Sequence, residues 1–232
     1  MKTAGIIGGL GPETSAKFQL EIISSCLKNN RDQRPPFLMW NVPVVIEAEK
    51  ELITKNGDGK TFLPLLKEAA KILEKGGADF LVMSCNTLHI FIEDVRRAVN
   101  VPILSIIDET VTVLKKQNIR KVGLLATSKT ISKNLFGNKF KANEIQQIIP
   151  SRKDQSELDR IIHRIVLGKV SLKDKIKVKE IVTKIAKKGT RDIILACTDL
   201  QLVMENYPQL TILDTMQILA KASAQEILKG GI

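Results

Sequence analysis

Three short segments of this chain occur twice, in the same order, and that repetition limits its fold more than any other feature. Ala4-Gly5-Ile6-Ile7 is matched by Val122-Gly123-Leu124-Leu125, 118 residues later. Phe80-Leu81-Val82-Met83-Ser84-Cys85-Asn86-Thr87 is matched by Asp192-Ile193-Ile194-Leu195-Ala196-Cys197-Thr198, displaced by 112 at the cysteine. Ile103-Leu104-Ser105 is matched by Ile212-Leu213-Asp214, displaced by 109. Buried parallel strands draw on few residue types, so any one match could arise by chance. Common order and nearly constant displacement point instead to a duplicated half.

Between the short apolar runs lie longer amphipathic segments, the pattern of βαβ units around a parallel sheet. Strands are expected over residues 3–7, 37–41, 80–83, 103–105, 122–126, 193–196 and 212–213, enough for two sheets or one large one. The first helix is the best marked: Pro12 suits its opening turn, and Phe18, Ile22 and Cys26, with Ile23 and Leu27, make an apolar stripe. The expected fold is α/β, with two similar domains of mainly parallel sheet flanked by helices. Residues 1–105 with 210–232 form the first domain and residues 106–209 the second.

A net charge of +11 raises the question of nucleic acid or an acidic membrane. The lysines of residues 169–188, however, fall mainly between Val178, Ile181, Val182, Ile185 and Ala186, which recur at helical spacing. That is a solvated helix face, and an aromatic content of 4% supplies few stacking partners for bases. No apolar run reaches the roughly 18 residues that crossing a bilayer requires. With no secretory leader either, the chain reads as cytoplasmic, without nucleic-acid or membrane partners. Three scattered cysteines make no disulfide framework, and two histidines with no Cys/His cluster leave a metal without ligands. Cys26, on the apolar stripe, reads as a buried small hydrophobe.

Cys85 and Cys197 are different, because each follows a strand in its own half. Open parallel sheets bind ligands beyond the carboxyl ends of their strands. A thiol has an ordinary pKa near 8.5, so it can serve as acid or base close to neutral pH. Asn86, Thr87 and Thr198 place small polar side chains and expected helix-start amides beside the thiols, suited to a carboxylate. His89, one turn past Cys85, reads as an orienting residue rather than a proton carrier. The Gly8-Gly9-Leu10-Gly11 loop lacks the third glycine of a dinucleotide site, since Thr14 stands there, and reads as a tight loop whose backbone approaches the substrate.

Met83-Ser84-Cys85-Asn86-Thr87-Leu88-His89 resembles the Cys-Asn-Thr-x-His motif of the aspartate/glutamate racemase family, and Ala196-Cys197-Thr198-Asp199 resembles its second motif, Gly-Cys-Thr-Glu. Gly8-Gly9-Leu10-Gly11-Pro12 is similar to the family's opening Gly-Gly-Met-Gly-Pro loop, and Gly123-Leu124-Leu125-Ala126-Thr127 to its mid-chain Gly-Leu-Leu-Ala-Thr. The resemblance covers nearly the whole chain and is closest to aspartate racemase. It implies two α/β domains with an active site between them, a homodimer, and amino-acid racemisation with no pyridoxal phosphate or other cofactor. On this reading Cys85 and Cys197 are the catalytic acid/base pair. Gly9, Asn86, Thr87, Thr127 and Thr198 are substrate contacts.

The resemblance breaks at two positions. The family's aspartate-specific members carry Pro-Asp-Arg-Thr where this chain has Ala48 at the arginine position, and Val166 replaces a basic residue of a Tyr-x-x-x-Lys-x-Gly stretch. Arg164, Lys169 or Lys50 could substitute from another direction. Aspartate or glutamate is the expected substrate. A hydantoin, a non-acidic amino acid, or a binding protein without turnover are the alternatives.

Overall fold

The computed structural model describes residues 1–29, 33–54, 57–205 and 207–229. In chain order the first elements are β1 (Ala4–Gly8), α1 (Pro12–Asn29), β2 (Phe37–Asn41), α2 (Ile46–Thr54), α3 (Phe62–Lys75), β3 (Phe80–Met83), α4 (Ile92–Arg96), β4 (Ile103–Leu104) and α5 (Ile106–Lys116). There follow β5 (Lys121–Ala126), α6 (Ser128–Ser132), α7 (Gly137–Ala142), β6 (Gln146–Ile148), α8 (Arg152–Val166), α9 (Leu172–Ala186), β7 (Asp192–Ala196), β8 (Thr211–Asp214) and α10 (Thr215–Leu228). Short 3-10 turns, Thr87–Phe91 and Thr198–Leu202, follow β3 and β7.

The strands form two four-stranded sheets, ordered β2-β1-β3-β4 and β6-β5-β7-β8, and every pairing is parallel. The identical order is the duplication seen in the sequence. It also supplies the strand that sequence patterning misses. β6 is three residues, Gln-Gln-Ile, with only Ile148 buried, so it carries no apolar run. Its place beside β5 is the place of β2 beside β1.

The chain divides into two compact units. One comprises Met1–Val45, Gly59–Thr110 and Met216–Ile232, the other Ile46–Asp58 and Val111–Thr215. These limits differ from those drawn on the sequence chiefly at Ile46–Asp58, the stretch carrying α2. There Ile53 joins a core containing Leu125, Leu158, Ile162, Val178, Ile181 and Ile193. The chain therefore passes from one unit to the other four times, once within α5.

In the first unit α3 lies on β1, β2 and β3, burying Leu66, Ala69, Ala70 and Leu73. In the second, α9 lies on β5 and β7 through Val178, Ile181, Val182 and Ile185. The repeated glycine explains how closely these helices approach. A Cβ on Gly5 would lie 3.2 Å from Leu73 Cβ of α3 and nearer still to Ala78 and Leu81, and one on Gly123 would lie 2.7 Å from Ile193 Cδ1 and nearer still to Ile185 of α9. Gly5→Val and Gly123→Val are each expected to lower the stability by about 1–3 kcal/mol, the usual cost of forcing volume into a filled core. The measurement is the urea midpoint, and an unchanged midpoint in both variants would contradict this close packing.

α1 begins at Pro12 and buries Phe18, Ile22 and Cys26, whose thiol burial pushes up in pKa. No disulfide joins the three cysteines. Among the described residues no helix is long and apolar enough to cross a membrane, and no group of three or more His, Cys, Asp or Glu side chains could hold a metal ion.

Candidate active site

In each sheet the chain runs outward in one direction from its first strand and then returns to build in the other, so the order reverses between β1 and β3 and again between β5 and β7. Crevices outside the carboxyl ends of strands at such reversals are where open α/β sheets take ligands. The candidate residues fall into two groups at these points. Ile7 pairs with Met83, so the Gly9 loop after β1 and Cys85, Asn86 and Thr87 after β3 leave neighbouring strand ends of the first unit. Ala126 pairs with Ala196, so Thr127 and Cys197 are the next residues on neighbouring strands of the second, with Thr198 beyond.

Gly9 has φ +85°, and a Cβ there would lie 2.7 Å from Val42 N, so glycine lets the loop close on the end of β2. Its N–H donates to Ser15 Oγ at 2.9 Å, and Ser15 Oγ in turn donates to Gly11 O at 2.9 Å. The Gly9 amide is thus engaged inside its own loop.

Cys85 is partly exposed, while Ser84, Asn86, Thr87 and His89 around it are buried. Asn86 stands at the cap of its 3-10 turn, yet its side chain makes no capping hydrogen bond, so capping does not account for it. His89 sits under the cysteine. Its Nδ1 lies 2.7 Å from Cys85 O, and Ile106 N donates to its Nε2 at 3.1 Å. A carbonyl only accepts and a backbone N–H only donates, which fixes the proton on Nδ1 and the ring as neutral. Burial holds its pKa down to about 4. With both nitrogens engaged, His89 ties the Cys85 backbone to the start of α5 and is no proton carrier.

In the second unit Cys197 is extended and 7% exposed, and its Sγ donates to Asp199 Oδ2 at 3.7 Å. The shorter acid in this motif therefore still reaches the thiol. Thr127 is the cap of α6: its Oγ1 accepts from Thr130 N at 3.2 Å and donates to Thr130 Oγ1 at 3.1 Å. His163, on α8, has its pKa lowered first by burial and then by Lys50, and its buried Nε2 has no hydrogen-bond partner among the described residues.

Two residues that hold the Thr127 loop escape sequence reading. Asp159 accepts from Ser128 N at 2.9 Å, from Ser128 Oγ and from Gln155 Nε2, while Gln155 Nε2 also donates to Ala126 O at 2.9 Å. Burial raises the Asp159 pKa, and the Ser128 and Gln155 hydrogen bonds oppose the rise. Both residues look like solvated helix surface. The available signal was their spacing, since Gln155 and Asp159 share a stripe with the buried Leu158 and Ile162.

The sequence model of the Asp/Glu/hydantoin racemase family matches residues 7–223. The chain belongs to that family. It is an isomerase, a PLP-independent amino-acid racemase. Among curated relatives, the Bacillus subtilis broad specificity amino-acid racemase RacX is 26% identical over 230 residues, 97% of each chain. Two crystal structures share the fold closely. A candidate Asp/Glu racemase from Yersinia pestis has 29% identity and a TM-score of 0.83, covering 98% of this racemase and 100% of that chain. An aspartate racemase homologue from Pyrococcus horikoshii has 27% identity and a TM-score of 0.76, covering 98% and 99%. The two parallel sheets flanked by helices are the racemase fold of these structures.

Proposed function

We propose that this racemase inverts a free amino acid by two-base proton transfer, with Cys85 and Cys197 as the base and acid. The observation that carries the reading is their equivalence: each follows the strand on the far side of the reversal in sheets of the same order, and each precedes a 3-10 turn. Inversion needs a proton removed from one face of Cα and another delivered to the opposite face, which one group is badly placed to do. The thiolate form of one cysteine takes the α-proton, and negative charge spreads onto the substrate carboxylate. The other cysteine, as thiol, returns a proton from its own face. Asn86, Thr87, Thr127, Thr198 and the Gly9 loop are assigned to the substrate, where donors aimed at the carboxylate lower the barrier most as its charge grows. Asp199, as acceptor of the Cys197 thiol proton, gives that cysteine an orientation for the return step. We infer further that the enzyme acts in the cytoplasm as a homodimer.

Aspartate or glutamate heads the substrate class. A second reading, a non-acidic amino acid, is supported by the state of the basic residues around the altered positions. Ala48 lies on α2 and Val166 ends α8, which packs against α2. Arg164 is held by Asp174 at 2.5 Å and by Glu157 at 3.3 Å, and Lys50 pairs with Glu47 at 2.9 Å. These cations already have carboxylates. RacX, with its broad specificity, is consistent with a pocket not built around a distal acid.

The deciding measurement is deuterium incorporation at Cα in heavy water for both enantiomers of acidic, aliphatic, polar and basic amino acids and of hydantoins, followed by chiral separation. Racemisation of aspartate or glutamate above all others supports the acidic reading, and preference for a neutral or basic amino acid supports the second. No interconversion of any compound in the panel would overturn both.

A further inference from the structure

We propose that a cavity in the second unit, separate in its lining from both cysteines, binds a small molecule through an aliphatic primary ammonium group, with Asp159 as the counter-ion. The cavity has a volume of about 500 Å³, and its apolar wall is Ile53, Ile131, Ile149 and Pro150. Asp159, Gln155 and Ser128 supply its polar wall, and the exposed Arg152 belongs to its lining.

The case rests on an unbalanced charge. Asp159 is 7% exposed, and every hydrogen bond to it among the described residues comes from a neutral donor, Ser128 or Gln155. No lysine, arginine or histidine forms an ion pair with it among those residues. By contrast the other buried aspartates of α8 and α9 have cations: Asp154 pairs with Lys184 at 2.8 Å and Asp174 with Arg164 at 2.5 Å. A buried carboxylate without a counter-charge is unfavourable unless something supplies one. The raised pKa of Asp159 is the same imbalance expressed as proton affinity.

Gln155 lies beside Asp159 in the lining and fixes its carboxylate. It is nine-tenths buried, its amide nitrogen is engaged by Ala126 O and Asp159, and its Oε1 has no hydrogen-bond partner among the described residues. An anionic acceptor across from a wall of isoleucine and proline calls for a donor-rich cationic head on a short aliphatic chain. A free alkylamine and the α-ammonium of an aliphatic amino acid both offer that head. Only the amino acid gives Arg152 a carboxylate to meet. An occupant would also touch Ser128, whose neighbour Thr127 is assigned to the substrate, so occupancy is coupled to the loop that the catalytic reading uses.

The test is calorimetric titration of the full-length protein near neutral pH with isopentylamine, with isopentanol as its uncharged counterpart, and with L-leucine. Saturable isopentylamine binding, with isopentanol weaker by about tenfold or more, is expected, since a hydrogen-bonded charge is worth at least that. Asp159→Asn should erase the preference for the amine. Because Asp159 also holds Ser128, a second variant guards against misfolding: Thr54→Trp, at an exposed position of the lining, should fill the cavity and remove binding while the fold persists. L-leucine binding that exceeds isopentylamine binding and falls to it in Arg152→Ala would identify the amino acid as the source of the ammonium. The double variant Cys85→Ser, Cys197→Ser should keep amine binding even where racemisation is lost, which separates this site from the catalytic reading. Equal binding of amine and alcohol, an unchanged preference in Asp159→Asn, or loss of amine binding in the double serine variant would each overturn the proposal.

Discussion

Cys85→Ser and Cys197→Ser are each expected to cut the rate of net racemisation by about 10²–10⁴-fold, the range of a positioned acid or base, with fold and substrate binding retained. A serine hydroxyl keeps the shape of the thiol but does not ionise near neutral pH, so one half of the proton transfer is lost whichever cysteine is replaced. The two variants should nevertheless differ in a way that a structural role would not produce. Each retains one working thiol, which can still remove and return the α-proton on its own face. Exchange of the α-hydrogen with heavy water, without inversion, should therefore survive for one enantiomer in Cys85→Ser and for the opposite enantiomer in Cys197→Ser. Exchange and inversion are read separately, by mass spectrometry and chiral chromatography. Near-normal inversion in either variant, or survival of exchange for the same enantiomer in both, would defeat the two-thiol mechanism.

The second large effect concerns His89 and acid. Its folded pKa is about 4, below the ordinary 6.5, because burial disfavours the charged ring and Ile106 N–H requires a lone pair on Nε2. Between these values the unfolded chain binds a proton that the folded protein refuses. The stabilisation is therefore fully present above about pH 6.5 and declines as the pH falls toward 4. Over that window it amounts to on the order of 3 kcal/mol. His89→Leu removes the titration and leaves Cys85 O and Ile106 N without their ring partner, so the variant should be less stable near neutral pH by about 2–4 kcal/mol, yet lose less on acidification. Urea midpoints of both proteins at neutral and mildly acidic pH give the comparison, and the difference cancels carboxylates common to both. Parallel pH dependence in the two would show that His89 does not control it.

Much of this was legible in the sequence because strands leave a compact trace. All seven expected strands lie within one residue of their observed limits at each end. The cysteines and their neighbours could be placed at strand ends from the same trace. β6 could not be read directly because an edge strand with two glutamines has no apolar signature, although the duplication required a counterpart to β2. The assignment of α2 to the second unit was hidden for a different reason: nothing in Ile46–Thr54 says which core Ile53 will enter. Asp159 and Gln155 were hidden because polar residues on a helix normally face water. Only tertiary packing turns them toward the Ser128 loop. His89, by contrast, reads from its spacing as an orienting residue, and its two backbone partners make that role specific.

The four passages of the chain between units set the order in which the enzyme can be completed during synthesis. All of the segments of the second unit have been made once Thr215 is reached, but the first unit still lacks α10, with Leu219, Ala220, Ala224 and Ile227 to bury and the backbone bond from Lys2 N to Ile227 O to close. At roughly 5–20 residues per second, translating Val111–Thr215 keeps the first sheet waiting for about 5–20 s. The sheet of β1 to β4 thus depends on a helix made after the whole of the second unit, and a nascent chain from which α10 has not yet emerged would leave apolar surface of the first unit open to any chaperone nearby.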